Sequence, residues 1–352
     1  MTQFWFAAST EEFPPSQMVE QATAADQAGF DAIGSSDHFV SWFPGGQGAS
    51  AWAYLPAAGQ IVADKPLFTS VTPILHHYHP AVVAQFFMNL EELYPGRAIL
   101  GVGSAEAISE VPLGLDWPAP KEMLERFARG LEAITRLWDG ETVTMDGGWF
   151  KLDQARLMTM AESRPRMIVS AFGPDAAAIA GKYGDGLWTL GDPESASPVI
   201  EAYKKACANH DKPVGEIVLQ AGFCLGDDEA AIIKATKKWK TTQFPEYYLE
   251  DHHDLDQMAA DAEARMSDEE FAHEGFLVSA DPQEHIDRIR QMIEVDDAVT
   301  TICLQSIGDL DPLTSIRRYG DEVLPALRRA AGAGAGAKRF ERESDTLQAR
   351  QT

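Results

Sequence analysis

Short, almost wholly apolar runs recur along this chain, and between them lie longer stretches in which apolar positions return with helical spacing. Runs that are apolar at successive positions suit strands buried on both faces of a parallel sheet, where neither side meets water. Residues 4–7, 32–34, 67–71, 98–102, 167–170, 186–189, 218–223 and 301–305 are such runs. The stretches between them carry helix-end signals. Pro80 opens a helix in which Val83, Phe86, Phe87 and Leu90 follow helical spacing, and Tyr94-Pro95-Gly96 stops it. Residues 121–138 make a second, ended by Asp139-Gly140, and Pro174 opens a third that closes before Gly184. This alternation predicts an α/β fold, a closed (β/α)8 TIM-type barrel in preference to an open doubly wound sheet.

Two insertions interrupt the alternation. Thr142-Val143-Thr144-Met145-Asp146, then Gly147-Gly148, then Trp149-Phe150-Lys151-Leu152 predicts a β-hairpin turning on the glycines. A longer, charged and helical insertion at residues 242–275 has the length of a segment that encloses substrate at a barrel mouth. The alternating Gly and Ala from Ala331, followed by a charged stretch, reads as a flexible tail. Residues 1–330 are therefore expected to form one barrel domain and residues 331–352 the tail.

Composition narrows the partners. The 352 residues hold 54 acidic against 29 basic side chains, a net charge of −25 that disfavours nucleic acid and anionic membranes as partners. With no apolar run near the roughly 18 residues that span a bilayer, and no basic leader before Phe4, a soluble cytoplasmic protein is expected. The three cysteines, Cys207, Cys224 and Cys303, are widely separated and fit reduced, buried thiols.

Two polar islands stand where apolar runs end, on what would be the catalytic face of a barrel. Ser36-Asp37-His38-Phe39 follows residues 30–34, and an imidazole there can take a proton from a substrate hydroxyl near neutral pH. Asp37 beside it points the other way along an extended segment, toward a neighbouring loop or a ligand. Gly103-Ser104-Ala105-Glu106 follows residues 98–102, with glycines that let backbone approach a planar ligand. Glu11, after the first run, is a third acid–base candidate. Trp42 lies in a Gly- and Pro-rich loop and can face a ligand or pack in the core, as can Phe39, Trp52 and Tyr54. His76-His77-Tyr78-His79 has no i, i+4 histidine pair and no acidic neighbour, so no metal site is expected. Walker and Gly-X-Ser-X-Gly motifs are missing, which leaves phosphoryl transfer and serine hydrolysis without support.

Taken in order, Ser36-Asp37-His38-Phe39 with Trp42, Ser70-Val71-Thr72-Pro73, Tyr78-His79-Pro80, Leu93-Tyr94-Pro95-Gly96-Arg97, Gly101 to Ala107 and Gly184-Asp185-Gly186 resemble the luciferase-like superfamily. Within it the chain most resembles the coenzyme F420-dependent glucose-6-phosphate dehydrogenase group. The resemblance implies a TIM-type barrel, a homodimer, and a deazaflavin in a cleft at the C-terminal ends of the strands. It assigns His38 as the base that removes a hydroxyl proton, Glu106 as the acid facing the ring and Trp42 as the aromatic shaping the reacting centre. A cis peptide at Ser70-Val71 is implied behind the ring. Asp37, Thr72, Gly103, Ser104, Ser109, Ser170, Ala171, Phe172, Gly173 and Trp188 match cofactor-lining positions.

The chain departs from that group where a phosphate would bind. Two lysines and an arginine are replaced by a lysine-free stretch after Trp188, by Met258 and by Gly275, and Ser109 stands for an asparagine near the cofactor. With Glu11, Met258 and Gly275 assigned to the substrate pocket, the expectation is an F420-dependent dehydrogenase or reductase acting on a non-phosphorylated alcohol or carbonyl. An FMN-dependent oxidoreductase or monooxygenase is the alternative, and a non-catalytic ligand-binding barrel is a third reading that the pairing of His38 with Glu106 disfavours.

Overall fold

The computed structural model describes residues 2–274, 276–308 and 310–329. The expected tail at 331–352 lies outside the described residues.

Eight parallel strands close on themselves. In chain order they are β1 (Gln3–Ala8), β2 (Ala32–Ser35), β3 (Leu67–Thr69), β4 (Ala98–Gly103), β5 (Arg166–Ser170), β6 (Gly186–Leu190), β7 (Glu216–Leu225) and β8 (Val299–Ser306). Each pairs with the next, and β1 also pairs with β8, with Phe4 opposite Ile302, which closes the barrel. Period-two alternation divides each strand between two cores. Trp5, Phe68, Ile99, Ile168, Trp188 and Val218 point into the barrel, whereas Phe4, Phe6, Ile33, Leu67, Leu100 and Val102 pack outward against the helices. The rings of Trp5, Phe68 and Trp188 lie 5.0 to 6.0 Å apart and plug the interior. Each such side chain stabilises the fold by about 1.5–3 kcal/mol through burial alone, so the strands are held by a filled interior as well as by their ladders.

The helices at Pro80–Leu93, Pro120–Trp138 and Pro174–Tyr183 start and stop at the signals read from sequence. The hairpin pairs Val143–Asp146 with Lys151–Ala155. Two local expectations are corrected. The run at 67–71 ends as a strand at Thr69, breaks at a cis Ser70-Val71 peptide, and resumes at Thr72–Pro73 against β4. Trp52 and Tyr54 sit on a helix, Ala51–Ile61, which accommodates Pro56 in its interior. Tyr54 is in the core and Trp52 stacks on Tyr78 and Phe86, so of the two readings open for them packing holds and neither faces a ligand.

Between β7 and a short added strand, Leu277–Ser279, runs the helical insertion. Its Trp239, Phe244, Tyr247, Met258, Ala262 and Phe271 build a separate apolar cluster with Trp42 and Phe43. That cluster places the insertion over the C-terminal ends of the strands. No helix among the described residues is long and apolar enough to cross a membrane.

Candidate active site

A cavity of about 330 Å³ opens at the C-terminal face of the barrel. Glu11, His38, Trp42, Ser70, Val71, Glu106, Ser170, Phe172 and Trp188 all line it, although they come from six separate strand ends. Backbone register brings the first of them together: Ala8 opposes Ser35, so the segment leaving β1 with Glu11 runs beside the one leaving β2 with His38. His38 Nε2 stands 3.5 Å from Glu11 Oε1. Trp42 covers this pair, its ring 5.9 Å from the imidazole and 4.7 Å from the ring of Tyr248.

Glu106 precedes the short helix Ala107–Glu110 after β4. Burial raises its pKa above the ordinary carboxyl value, against the opposing pull of the His38 imidazole. One turn on, Glu110 is fully buried; its Oε2 accepts from the His77 backbone N–H at 2.8 Å and its Oε1 has no hydrogen-bond partner. Burial pushes that carboxyl up to about 8. Neighbouring His77 is pushed down to about 4, by burial first and by His38 second, and stays neutral at physiological pH.

The cavity floor is a directed polar chain. Trp188 Nε1 donates to Gln220 Oε1 at 2.7 Å, Gln220 Nε2 to Gln305 Oε1 at 2.7 Å, Gln305 Nε2 to Ser9 Oγ at 2.9 Å, and Ser9 Oγ to the Ser306 carbonyl at 2.6 Å. Every amide orientation is thereby fixed.

Several residues expected at the site are held elsewhere. Asp37 turns away from the cavity: its carboxylate accepts from Thr72 Oγ1 at 2.8 Å and from the Tyr78 hydroxyl at 3.2 Å, which occupies the Thr72 hydroxyl as well. Burial raises Asp37 to about 6, and those two hydrogen bonds limit the rise. Gly103, Ser104, Ser109, Ala171 and Gly173 lie behind or beside the lining and are not part of it. Met258 is buried in the insertion's apolar cluster and does not reach the cavity, and Gly275 lies outside the described residues. Phe39, 47 % exposed, packs on His77. The histidine run has structural partners: His76 meets Arg126, and His79 Nδ1 caps its helix by accepting from Ala81 N–H. Sequence reading missed Gln220, Gln305, Trp239, Tyr248 and Arg288 on the lining. The glutamines sit inside or at the end of apolar strands, where a lone polar residue with a pocket-facing parity was the available signal.

A planar redox ring fits this lining. The Oγ of Ser70 and the Nδ1 of His38 are buried without partners, and polar atoms left so mark a place where a ligand completes the hydrogen bonding. The cis Ser70-Val71 segment presents Val71 to the cavity, and a Cβ added at Gly103 would come within 2.7 Å of Val71 Cγ2, so glycine there is what lets this segment lie against β4.

The model of one family, described as luciferase-like monooxygenase, matches residues 1–297. The chain belongs to the luciferase-like monooxygenase family. Within that family it is 34% identical over 338 residues to an F420-dependent glucose-6-phosphate dehydrogenase of Beutenbergia cavernae, covering 93% of this chain and 98% of the relative. A second enzyme of that name, from Microbacterium testaceum, is 31% identical, with 93% and 97% covered. Among solved luciferase-like folds, an F420-dependent secondary alcohol dehydrogenase in complex with an F420-acetone adduct superposes with a TM-score of 0.86, at 28% identity, over 93% of this chain and 99% of that one.

Proposed function

We propose that this protein is an F420-dependent oxidoreductase that transfers a hydride between the carbon of a small alcohol or carbonyl and the deazaflavin. The observation that carries this reading is the convergence of His38, Glu11, Glu106 and the Ser70-Val71 segment on one cavity, in a chain whose full-length relatives bear F420-dependent dehydrogenase names. Ser70, Val71, Ser170, Phe172 and Trp188 would hold the cofactor. When bound, F420 supplies a ring carbon that accepts or returns a hydride without oxygen chemistry. His38 takes the hydroxyl proton as an alcohol is oxidised and returns it in the reverse direction. The Glu11 carboxylate, 3.5 Å from His38 Nε2, is placed to orient the imidazole. Glu106, whose pKa burial raises, supplies a carboxyl in the same cavity that can carry a proton. Trp42, Trp239 and Tyr248 exclude water around the reacting atoms.

The substrate in this reading is not phosphorylated. Met258 no longer bears on the question, but the described lining contains no lysine and a single arginine, Arg288, against Glu11, Glu106 and Asp192. A phosphate dianion leaving water needs several charge-assisted bonds. Fluorescence titration with F420 and with FMN tests the cofactor; tight FMN binding without F420 affinity overturns the assignment. Steady-state assays with isopropanol, glucose and glucose 6-phosphate test the substrate, and a kcat/KM preference for the phosphorylated sugar overturns that part.

The same reading includes a homodimer working in the cytoplasm. Its support is that the helices Ala51–Ile61 and Pro80–Leu93 leave Ile61, Val82 and Leu93 exposed, while Trp52 on the first stacks on Phe86 on the second.

A further inference from the structure

The two oxygens of Glu11 have different surroundings. Oε1 faces His38 Nε2, whereas Oε2 accepts from Ser36 Oγ and, at 3.1 Å, from Thr10 Oγ1. Both hydroxyls are buried, with exposures of 1 % and 0 %, so water does not compete for them. Their remaining partners fix where each proton goes. Ser36 Oγ accepts from the Thr10 backbone N–H at 2.9 Å, and Thr10 Oγ1 accepts from the His38 backbone N–H at 3.3 Å. A hydroxyl has one proton. With both protons on Glu11 Oε2, the 3.0 Å approach of Thr10 Oγ1 to Ser36 Oγ is a by-product of sharing that oxygen.

We infer that Thr10 and Ser36 are positioning residues for the proton transfer at His38, acting through Glu11. The terminal torsion of a glutamate is broad, so an unclamped carboxylate turns freely. Two hydroxyls on one oxygen hold it, and the other oxygen is then committed to the imidazole. Thr10 also ties the backbone of His38 itself to the same anchor, so the base and its carboxylate move as one unit. The arrangement comes from two adjacent tripeptides, Ser9-Thr10-Glu11 after β1 and Ser36-Asp37-His38 after β2, held side by side by the pairing of Ala8 with Ser35. No role in binding cofactor or substrate is assigned to either hydroxyl.

The inference rests on the catalytic reading of His38, and its test has one arm that does not. Crystal structures of the cofactor-free wild type, Ser36→Ala and the Thr10→Val/Ser36→Ala double variant should show the Glu11 carboxylate facing His38 in the first and rotated or split between orientations in the others. An unchanged carboxylate in the double variant overturns the clamp, whatever the cofactor. In the kinetic arm, with F420 and isopropanol, Ser36→Ala should lower kcat about tenfold while KM changes little, and Thr10→Ser, which keeps the hydroxyl, should stay close to wild type. The deciding comparison is a double-mutant cycle: in a Glu11→Gln background Ser36→Ala should have no further effect on kcat. Equal losses in both backgrounds would mean that Ser36 acts independently of Glu11, and the inference fails. Should the double variant not fold, Ser36→Ala alone with the same cycle decides it. If F420 does not bind at all, the functional reading falls and the crystallographic arm still stands.

Discussion

Burial acts unequally on the carboxyls behind this cavity. Asp37 is given two hydroxyl hydrogen bonds and rises only to about 6, whereas Glu110, with one backbone donor and a bare second oxygen, rises to about 8. A carboxyl whose folded pKa is raised binds its proton more tightly in the folded state, so its contribution to stability is present at low pH and is lost as pH rises through the folded value. Glu110 should therefore lower wild-type Tm as pH rises from 4.5, where the carboxyl ionises in the unfolded chain, to about 8, and the Tm of Glu110→Gln, which keeps an acceptor for His77 N–H but cannot ionise, should fall less over that range. Parallel Tm curves from calorimetry would exclude Glu110 as the source. His38→Ala should lower kcat by about two to four orders of magnitude with F420 affinity nearly intact, because a proton acceptor acts mainly in the transition state; near-wild-type turnover would remove it from the mechanism. At this scale the candidate site was legible where chemistry-bearing residues end strands, as at His38 and Glu106. It was illegible where direction mattered: Asp37 and Thr72 satisfy each other, and nothing in sequence reveals which way a buried carboxylate turns. Gln220 and Gln305 were missed because their value lies in being linked across strands far apart in the chain.

The eight barrel strands were readable because each is short, apolar and bounded by helix signals. The helix Ala51–Ile61 was not, because Pro56 and the preceding glycine-rich loop imitate a coil; packing of Tyr54 and Leu55 into the core overrides that local preference. The insertion was recognised by length and charge, but its attachment was not. Its 3-10 segment Lys237–Gln243 is tied to the barrel by Glu12, which accepts from Trp239 Nε1 at 2.9 Å and from Gly308 N–H at 2.7 Å and pairs with Lys238 Nζ at 2.6 Å. Glu12 joins the segments after β1 and β8 to the wall that carries Trp239, Thr242 and Gln243 into the cavity. Glu12→Ala should loosen this wall: KM is expected to rise about threefold to tenfold with a smaller change in kcat, and limited proteolysis should cut first within residues 237–274. Cleavage at the hairpin before the insertion would show that Glu12 does not set the insertion's stability.

For the whole molecule, the dimer reading and the net charge of −25 pull in opposite directions, since like-charged copies repel. Association through Val82, Leu93 and Ile61 would rest on apolar contact, and salt should strengthen it by screening the repulsion. Light scattering should report a dimer whose dissociation constant falls as salt rises, and Val82→Asp with Leu93→Asp should yield a folded monomer; a dimer that survives both changes assembles through another face. Barrel closure carries a different consequence. Ser9 and Ser306, 297 residues apart, are hydrogen-bonded at the cavity floor. During synthesis β1 therefore leaves the ribosome with one edge open, and it stays open until β8 follows. A pairing so distant in sequence forms slowly, and an unpaired apolar edge is prone to aggregate. The cavity floor is thus expected to be among the last parts of this molecule to form, with Phe4, Trp5 and Phe6 needing shielding while they wait.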